Sequence, residues 1–278
     1  MNPADYEYLA NFLLGTSGLA LGTGKEYLIE ARLVPLAQSC DLDGIEQLVA
    51  ELRKGNNTRL SSAVTEAMTT NETSFFRDKT PFEELRANLL PTVLQARQTS
   101  RTLRIWCAAA ATGQESYSIA MTLLESFPEI KSWNVEIFGT DLDKAALSRC
   151  EEGVYSQFEV QRGLPVQLLM KYFEQCDAGW RVNDELRSRV RWQQCNLLDD
   201  FSRFGMFDII FCRNVLIYFQ NETKKDILDR LGKRVRADGY LYLGAAETVL
   251  GISDAFQRFR DCRAAVYTPT SGDPIAVK

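Results

Sequence analysis

The stretch LRIWCAAAATGQESYSIAM, from Leu103 to Met121, determines the fold that this sequence predicts. Large, mainly apolar side chains open it, small residues follow from Cys107 to Ala111, and helical spacing begins after Gly113. A strand, a tight turn and a helix in this order form the first crossover unit of a nucleotide-type α/β fold. Small residues let the backbone approach a ligand, and the helix N-terminus directs N–H groups at it. Taken alone, the stretch also fits an ordinary strand, turn and helix within a core.

A second stretch narrows the choice of ligand. Val135 to Thr140 (VEIFGT) predicts another buried strand, and Asp141 follows it directly. An acid at the end of the second strand suits ribose hydroxyls, and in nicotinamide enzymes it lies about 20 residues beyond a G-x-G-x-x-G motif. This chain lacks that motif, and its acid comes 28 residues after Gly113. Glu115, in the first turn of the helix, disfavours a phosphate. The pattern therefore favours S-adenosylmethionine over a dinucleotide.

The composition is that of an ordinary globular protein, because 45% of the 278 residues are hydrophobic and 25% are charged. A net charge of −5 predicts no general nucleic-acid surface. The seven cysteines form no C-x-x-C pair, so neither a zinc site nor a disulfide framework is indicated and a reducing compartment is expected. No apolar run nears about 18 residues. We therefore predict a cytoplasmic protein without membrane insertion.

The sequence contains no histidine. Catalysis by Ser-His-Asp or Cys-His arrangements and metal sites with histidine ligands are therefore excluded, and no metal is predicted. The chemistry must proceed without a base whose pKa lies near neutrality. Methylation of a glutamate is such a chemistry, because a reference pKa of about 4.3 leaves its carboxylate ionised and nucleophilic at pH 7.

Residues 1–70 predict an all-helical N-terminal domain, in which Asp and Glu outnumber Lys and Arg by nine to five. Apolar spacing predicts four helices there, at Tyr6–Leu14, Lys25–Gln38, Gly44–Lys54 and Thr58–Met68.

Residues 71–100 predict a linker and lid segment, which ends in a helix from Pro81 to Gln98. Its first part, NETSFFRD, allows two interpretations. The two phenylalanines enter a core and the segment is a capped linker, or Asn71, Thr73 and Arg77 cover a ligand as a lid.

Residues 101–278 predict the sheet domain, with a small inserted antiparallel subdomain at about residues 153–190. The remaining predicted elements are the strands Val190–Gln194 and Phe207–Arg213, the helix Glu222–Val235, and the strands Tyr240–Leu243 and Ala265–Tyr267. The last two strands are expected to pair antiparallel at the edge of the sheet. Residues 268–278 are expected to be disordered.

Four segments at predicted strand ends resemble those of the CheR family of chemotaxis receptor methyltransferases. They are NETSFFR (71–77), TGQESYS (112–118), GTDLD (139–143) and FCRNVLIYF (211–219). The resemblance covers nearly the whole chain and implies an α/β, Rossmann-like S-adenosylmethionine-dependent methyltransferase domain with a small inserted antiparallel β subdomain and an N-terminal all-helical domain. It also implies methyl transfer to glutamate carboxylates on the cytoplasmic domain of chemoreceptors (methyl-accepting chemotaxis proteins), which yields methyl esters and S-adenosylhomocysteine.

The resemblance also assigns the site residues. The cofactor site is implied to be lined by Asn71, Thr73, Arg77, Glu115, Asp141, Asn196, Leu197, Arg213 and Asn214, and the catalytic residues to be Arg77 and Tyr218. We expect Asp141 to accept two hydrogen bonds from the ribose and Glu115 to face the ammonium or ribose of the cofactor. Arg77 and Arg213 are expected to bind the carboxylates of the cofactor and the substrate glutamate. Asn196 and Leu197 are expected to present polar groups to the adenine.

The sequence departs from the family pattern at three places. Ala108–Ala111 stand where the family usually has a serine or cysteine, and Gln114–Tyr117 (QESY) stand where it usually has EEPY. Some family members bind the C-terminal pentapeptide of the receptor at the inserted subdomain and carry a longer, glycine-rich loop there. This chain has only Glu174–Gly179 before Trp180, so we predict no pentapeptide tether.

Two other functions compete with receptor methylation at this stage. One is a non-catalytic relative that senses S-adenosyl ligands or scaffolds a signalling array, and the other is a methyltransferase for small molecules or nucleic acid. Arg77, Asp141 and Tyr218 argue against the first, while the helical N-terminal domain and the acidic net charge argue against the second.

Overall fold

The computed structural model describes residues 1–272, and the chain divides into two compact units. The first unit comprises Met1–Thr70 together with Tyr218–Thr223, and the second comprises Asn71–Ile217 and the chain from Lys224 onward. Within the described residues, no helix is both long enough and apolar enough to cross a bilayer.

The first unit is helical, as its sequence predicts. Its helices are α1 (Pro3–Ser17), α2 (Glu26–Ser39), α3 (Ile45–Arg53) and α4 (Thr58–Ala67), and they pack around a core of leucines, isoleucines and valines. The expected end of α1 at Leu14 is wrong, because the helix continues to Gly18, whose φ of 75° gives the left-handed turn that caps it. Pro35 lies inside α2 without ending it.

The helix expected at Pro81–Gln98 is divided into three parts. They are α5 (Thr80–Glu84), a π-helical stretch (Leu85–Leu89) and α6 (Leu90–Ala96). Pro91 lies in the first turn of α6 and has no N–H to give to the preceding turn. The wider π-helical turn accommodates this missing donor.

A seven-stranded sheet forms the centre of the second unit and confirms the predicted α/β class. Its strands are β1 (Thr102–Ala108), β2 (Asn134–Asp141), β6 (Val190–Gln194), β7 (Phe207–Cys212), β8 (Val235–Leu243), β9 (Phe256–Arg258) and β10 (Val266–Pro269). The spatial order is β6-β2-β1-β7-β8-β10-β9. The first five strands run parallel, and β10 pairs antiparallel with β8 and β9, as expected for an edge pair.

Three expectations at the end of the chain are wrong. The last long helix ends at Gly232 rather than at Val235, because Val235 is buried and pairs with Phe207 as the first residue of β8. The strand expected at Tyr240–Leu243 begins earlier, at Val235, and its pairing with β7 is irregular between Val235 and Tyr240. Thr268 is buried in β10 rather than disordered, and β9 was not predicted. Residues 273–278 lie outside the described part of the chain.

Helices join the strands, and the inserted subdomain lies between β2 and β6. The helices are α7 (Gln114–Ser126), α8 (Lys144–Glu152), α9 (Gln157–Gln161), α10 (Val166–Tyr172), α11 (Asp184–Arg187) and α12 (Asn221–Gly232). Short 3-10 turns occupy Pro128–Ser132, Ser202–Phe204 and Leu216–Tyr218. The subdomain contains a separate antiparallel sheet of β3 (Val154–Tyr155), β5 (Gly179–Val182) and β4 (Phe173–Cys176), as predicted.

Candidate active site

The carboxyl ends of β1, β2 and β7 lie together at one edge of the sheet. β1 stands between β2 and β7, so the connections from β1 and from β7 leave toward opposite halves of the sheet. In open parallel sheets the ligand crevice lies outside the carboxyl ends of the strands at this reversal. The residues that follow the three strands therefore define the candidate site.

The turn after β1 is a backbone surface with three residues in the left-handed region. Ala109, Ala111 and Gly113 have φ values of 62°, 51° and 93°. A non-glycine residue in this region costs about 1 kcal/mol or more and needs surrounding support. The support is visible, because the Ala110 N–H donates to the Thr140 carbonyl at 2.8 Å and the Ala111 N–H donates to an Asp141 carboxylate oxygen at 2.8 Å. Small side chains thus hold the backbone close to the end of β2.

Asp141 is the buried acid at the end of β2. One carboxylate oxygen accepts the Ala111 N–H and the other accepts the Asp143 N–H at 3.0 Å. Burial raises the pKa of Asp141 to about 6, against the opposing effect of these backbone hydrogen bonds. A carboxylate has about four acceptor positions, so these backbone hydrogen bonds leave capacity for a further donor. An acceptor of this kind suits a pair of ligand hydroxyls.

Asn71 is connected to the same strand end. Its amide donates to Asp143 at 2.6 Å, and Asp143 caps α8 by accepting the Ala145 and Ala146 N–H groups at 2.8 and 3.2 Å. The sequence prediction placed Asn71 over the ligand and did not include Asp143. The structure brings Asn71 to the Asp141–Asp143 loop from a position 70 residues away in the chain.

Arg213, directly after β7, forms a buried cluster with two acids. Its two terminal nitrogens donate to Glu115 at 2.6 Å and to Asp78 at 2.7 Å. Burial raises the pKa of Glu115, while the charge of Arg213 and its hydrogen bond oppose this rise. Glu115 and Arg213 thus bind each other, and the expectations that Glu115 faces the ammonium or ribose of the cofactor and that Arg213 binds a carboxylate stay predictions. The Arg213 Nε is also buried, and it has no hydrogen-bond partner among residues 1–272.

The segment that carries Thr73 and Arg77 is anchored at Phe75. Phe75 is fully buried, and its ring meets those of Tyr155 and Phe173 edge-on at centroid distances of 5.0 and 5.5 Å. Arg77 donates to the Glu72 carbonyl at 2.9 Å and is partly exposed. The core interpretation is therefore right for Phe75, and the role of Thr73 and Arg77 over a ligand stays a prediction.

Asn196 and Leu197 follow β6, and both contribute polar atoms to contacts within the protein. The Asn196 side-chain oxygen accepts the Leu198 N–H at 3.0 Å. The Leu197 carbonyl accepts from Arg230 at 2.6 Å, and its side chain is buried. These hydrogen bonds lie within the protein, so the contact of Asn196 and Leu197 with an adenine stays a prediction.

Asn214 and Tyr218 lie in the segment after β7. Asn214 has a φ of 59°, and its N–H donates at 2.8 Å to Glu247, a buried residue that the sequence prediction missed. Tyr218 belongs to the first compact unit, in which its carbonyl accepts the Ala20 N–H at 3.0 Å. Glu247 comes four residues after β8, so an acid shortly beyond a buried strand was the available signal. Asp78, directly after Arg77, was also missed.

These groups fit an S-adenosyl ligand. Buried carboxylates at Asp141 and Glu115 suit hydroxyl and ammonium donors and repel a phosphate. The unpartnered Arg213 Nε suits a carboxylate, which the amino acid part of the ligand carries. The sheet and this set of groups define an S-adenosylmethionine-dependent methyltransferase.

Comparison with known proteins identifies the family. Residues 71–265 match the family described as CheR methyltransferase, SAM binding domain. Two similar relatives are chemotaxis protein methyltransferase 1 of Pseudomonas aeruginosa, 39% identical over 269 residues, and chemotaxis protein methyltransferase Cher2 of Pseudomonas putida, 38% identical over 268 residues. Each match covers 95% of this chain and 97% of the relative. The chain belongs to the CheR methyltransferase family.

A solved structure is similar at a greater distance. It is a TehB-like SAM-dependent methyltransferase from Corynebacterium glutamicum, which is 17% identical with a TM-score of 0.36 over 64% of this chain and 86% of that one.

Proposed function

We propose that this protein transfers a methyl group from S-adenosylmethionine to glutamate side chains on the cytoplasmic domain of chemoreceptors, in sensory adaptation. The observation that carries the proposal is the pair of buried carboxylates, Glu115 after β1 and Asp141 after β2. The relatives that the chain matches over nearly their whole length are named chemotaxis protein methyltransferases. The seven free cysteines support a reducing, cytoplasmic compartment.

The residues that we assign to the cofactor are those at the strand ends. Asp141 accepts the ribose hydroxyls, and Asn71 and Thr73 border them. The Glu115–Arg213 pair holds the ammonium and carboxylate of the ligand, with the Arg213 Nε as the available donor. Asn196 and Leu197 border the adenine, and Asn214 and Arg77 complete the site. S-adenosylmethionine, when bound, supplies an electrophilic methyl group on a sulfonium.

The protein needs no general base for this reaction. The substrate glutamate is ionised at pH 7 and is itself the nucleophile, which agrees with the absence of histidine from the sequence. We assign Arg77 and Tyr218 to the reacting groups, Arg77 to orient the substrate carboxylate and Tyr218 to border the methyl. The catalytic contribution of the protein is then alignment and exclusion of water.

A transfer assay tests the function. Purified protein is incubated with methyl-labelled S-adenosylmethionine and a receptor cytoplasmic fragment, and label released as methanol by mild base marks glutamate methyl esters. A fragment with its methylation-site glutamates changed to alanine is the control. Base-stable label, or equal label on both fragments, would overturn the glutamate assignment.

Asp141→Ala tests the cofactor assignment. The change removes charge-assisted hydrogen bonds worth about 1.5–3 kcal/mol, so affinity for S-adenosylhomocysteine should fall about 10- to 150-fold. Calorimetry measures the affinity, and NAD, which should not bind either protein, is the control ligand. Equal affinity of the variant and the wild type contradicts the assignment of Asp141 to the ribose.

We also propose that the enzyme has no pentapeptide tether. The turn between β4 and β5 contains only Asp177 and Ala178, since Cys176 already pairs with Gly179. A two-residue turn leaves few backbone groups to hold an added peptide strand. Titration of the aromatic-ended receptor pentapeptide should therefore detect no binding at micromolar concentrations. Micromolar binding that is lost when Trp180 is changed to alanine contradicts the proposal.

A further inference from the structure

Glu247 is a buried carboxylate that no cation neutralises. Its residue exposure is 7%, and no Lys or Arg within the described residues forms an ion pair with it. Its charge is instead distributed over four backbone N–H groups. One oxygen accepts from Asn214 at 2.8 Å and from Gly244 at 2.7 Å, and the other accepts from Val215 at 2.9 Å and from Ile217 at 3.3 Å.

These bonds connect two strand-end loops. Three of the four donors belong to the segment that follows Arg213, and the fourth, Gly244, directly follows β8. Gly244 has no room for a side chain, because a Cβ there would lie 2.7 Å from the side-chain nitrogen Nδ2 of Asn214 and 2.8 Å from a carboxylate oxygen of Glu247. Asn214 has a φ of 59°, in the left-handed region that asparagine adopts more readily than most residues. The four hydrogen bonds of the carboxylate hold the backbone in this conformation.

We propose that Glu247 is a positioning residue for methyl transfer. It sets the backbone of Asn214–Ile217, and through it the direction in which Asn214 faces the cofactor. The inference rests on the proposed function for the role of Asn214. A carboxylate is required, because only this group offers two acceptor oxygens, each able to take two N–H donors.

The key variant is Glu247→Gln. A glutamine presents one oxygen and one NH2 group, so two of the four N–H donors would face a donor instead of an acceptor. Hydrogen exchange of the peptide that spans residues 213–218 should become faster in the protein without ligand. Affinity for S-adenosylhomocysteine should fall at least about tenfold, and kcat about 100-fold, as expected when a reacting geometry shifts by about 1 Å.

Two further variants separate positioning from folding. Glu84→Gln is the control, because Glu84, at the end of α5, is also buried and accepts backbone N–H groups, from Arg263 at 2.6 Å and Ala264 at 2.9 Å. Unlike Glu247, it also forms an ion pair, with the Arg263 Nε at 3.6 Å, and the groups that it binds are not predicted site residues. Glu84→Gln should lower stability while leaving ligand affinity and kcat unchanged. Glu247→Asp keeps both carboxylate oxygens on a side chain one methylene shorter, so it should retain part of the affinity and of kcat. If Glu247→Gln does not fold, the same measurements are made on Glu247→Asp.

The outcomes are distinct. Loss of affinity and kcat in Glu247→Gln, partial return in Glu247→Asp and neither change in Glu84→Gln support positioning. If Glu247→Gln or Glu247→Asp loses only stability and keeps affinity and kcat within twofold of the wild type, the proposal is overturned. If the wild-type protein methylates no receptor fragment, the proposed function fails, while affinity and hydrogen exchange still decide the role of Glu247.

Discussion

Two arginines at opposite ends of the central sheet form similar ion clusters, but only one of them uses all three of its side-chain nitrogens as hydrogen-bond donors. Arg97, near the amino end of β7, donates from all three nitrogens, to Asp208 at 2.7 Å and to Asp238 at 2.7 and 2.6 Å. Arg213, after the carboxyl end of the same strand, donates from its two terminal nitrogens to Glu115 and Asp78 and keeps its Nε buried without a partner in residues 1–272.

The difference shows what each end of the sheet does. At the amino end, ion pairs join β7, β8 and the end of α6, and Arg97 uses all three of its nitrogens in them. The neighbouring Arg236 Nε lies 3.2 Å from Asp208 but forms no hydrogen bond among residues 1–272. At the carboxyl end, the protein buries Asp141 and Glu115 under conditions that raise the pKa of both, mainly through burial. Asp238, at the amino end, has its pKa lowered, first by its hydrogen bond with Arg97. At the amino end, arginines pair with the acids Asp208 and Asp238, whereas the carboxyl end carries unfavourable burial of carboxylates that a ligand can relieve.

Asp208→Ala should have the largest effect on stability. Asp208 is 1% exposed, and its loss leaves the Nε of the partly buried Arg97 and the Arg104 N–H without their acceptor. It also removes the carboxylate that lies 3.2 Å from the Arg236 Nε. Breaking a buried ion pair on one side costs about 3–5 kcal/mol, which urea unfolding would measure. Lys225→Ala, which removes an exposed pair with Asp229, is the control and should change stability by less than about 0.5 kcal/mol. A loss below 1 kcal/mol for Asp208→Ala, on the order of a surface pair, would remove the proposed contrast between the two ends.

Asp141→Asn, unlike Asp208→Ala, should become more stable relative to the wild type as the pH rises. The folded pKa of about 6 lies above the ordinary value of 3.8, so the stability from this group is complete below pH 3.8 and is lost as pH rises to about 6. That loss amounts to about 3 kcal/mol. The variant should therefore gain about this amount relative to the wild type between pH 4 and pH 7.5, measured by urea unfolding without ligand. A difference between the two proteins that does not change with pH would contradict the cost of burying Asp141.

Asp78→Asn should have the smallest effect. The Asp78 side chain is 44% exposed, and the buried Arg213 keeps Glu115 as its partner. We expect a loss of less than about 1 kcal/mol. The loop should nevertheless loosen, because Phe76, Asp78 and Lys79 all have positive φ values. Hydrogen exchange measures this change, and it should become faster in this loop and stay unchanged in β1. A loss of stability as large as that of Asp208→Ala would contradict the prediction and show that the Asp78–Arg213 pair supports the fold.

The sequence predicts those parts of the site that depend on local order. Asp141 follows an apolar strand directly, and Glu115 lies in the first turn of a helix after small residues, so each is visible within a few residues. The Arg213–Glu115 pair joins residues 98 positions apart, and Glu247 reaches Asn214 across 33. Arg213 and Glu115 look like independent site candidates in the sequence, and Glu247 is not recognised at all, because strand order determines which residues meet. The strands β2, β6 and β7 are predicted close to their observed bounds, whereas β8 begins at Val235 instead of Tyr240, because the residues of its irregular pairing resemble a turn.

The indole ring of Trp192 fills the space beside two glycines of the second unit, Gly139 and Gly113. A Cβ on Gly139 would lie 2.2 Å from the indole, and one on Gly113 would lie 3.1 Å from it. The three positions are therefore coupled. A side chain smaller than tryptophan at position 192 would leave room for alanine at 139, whereas tryptophan restricts position 139 to glycine. Position 113 is restricted by its backbone as well, because a φ of 93° strains any residue other than glycine regardless of space.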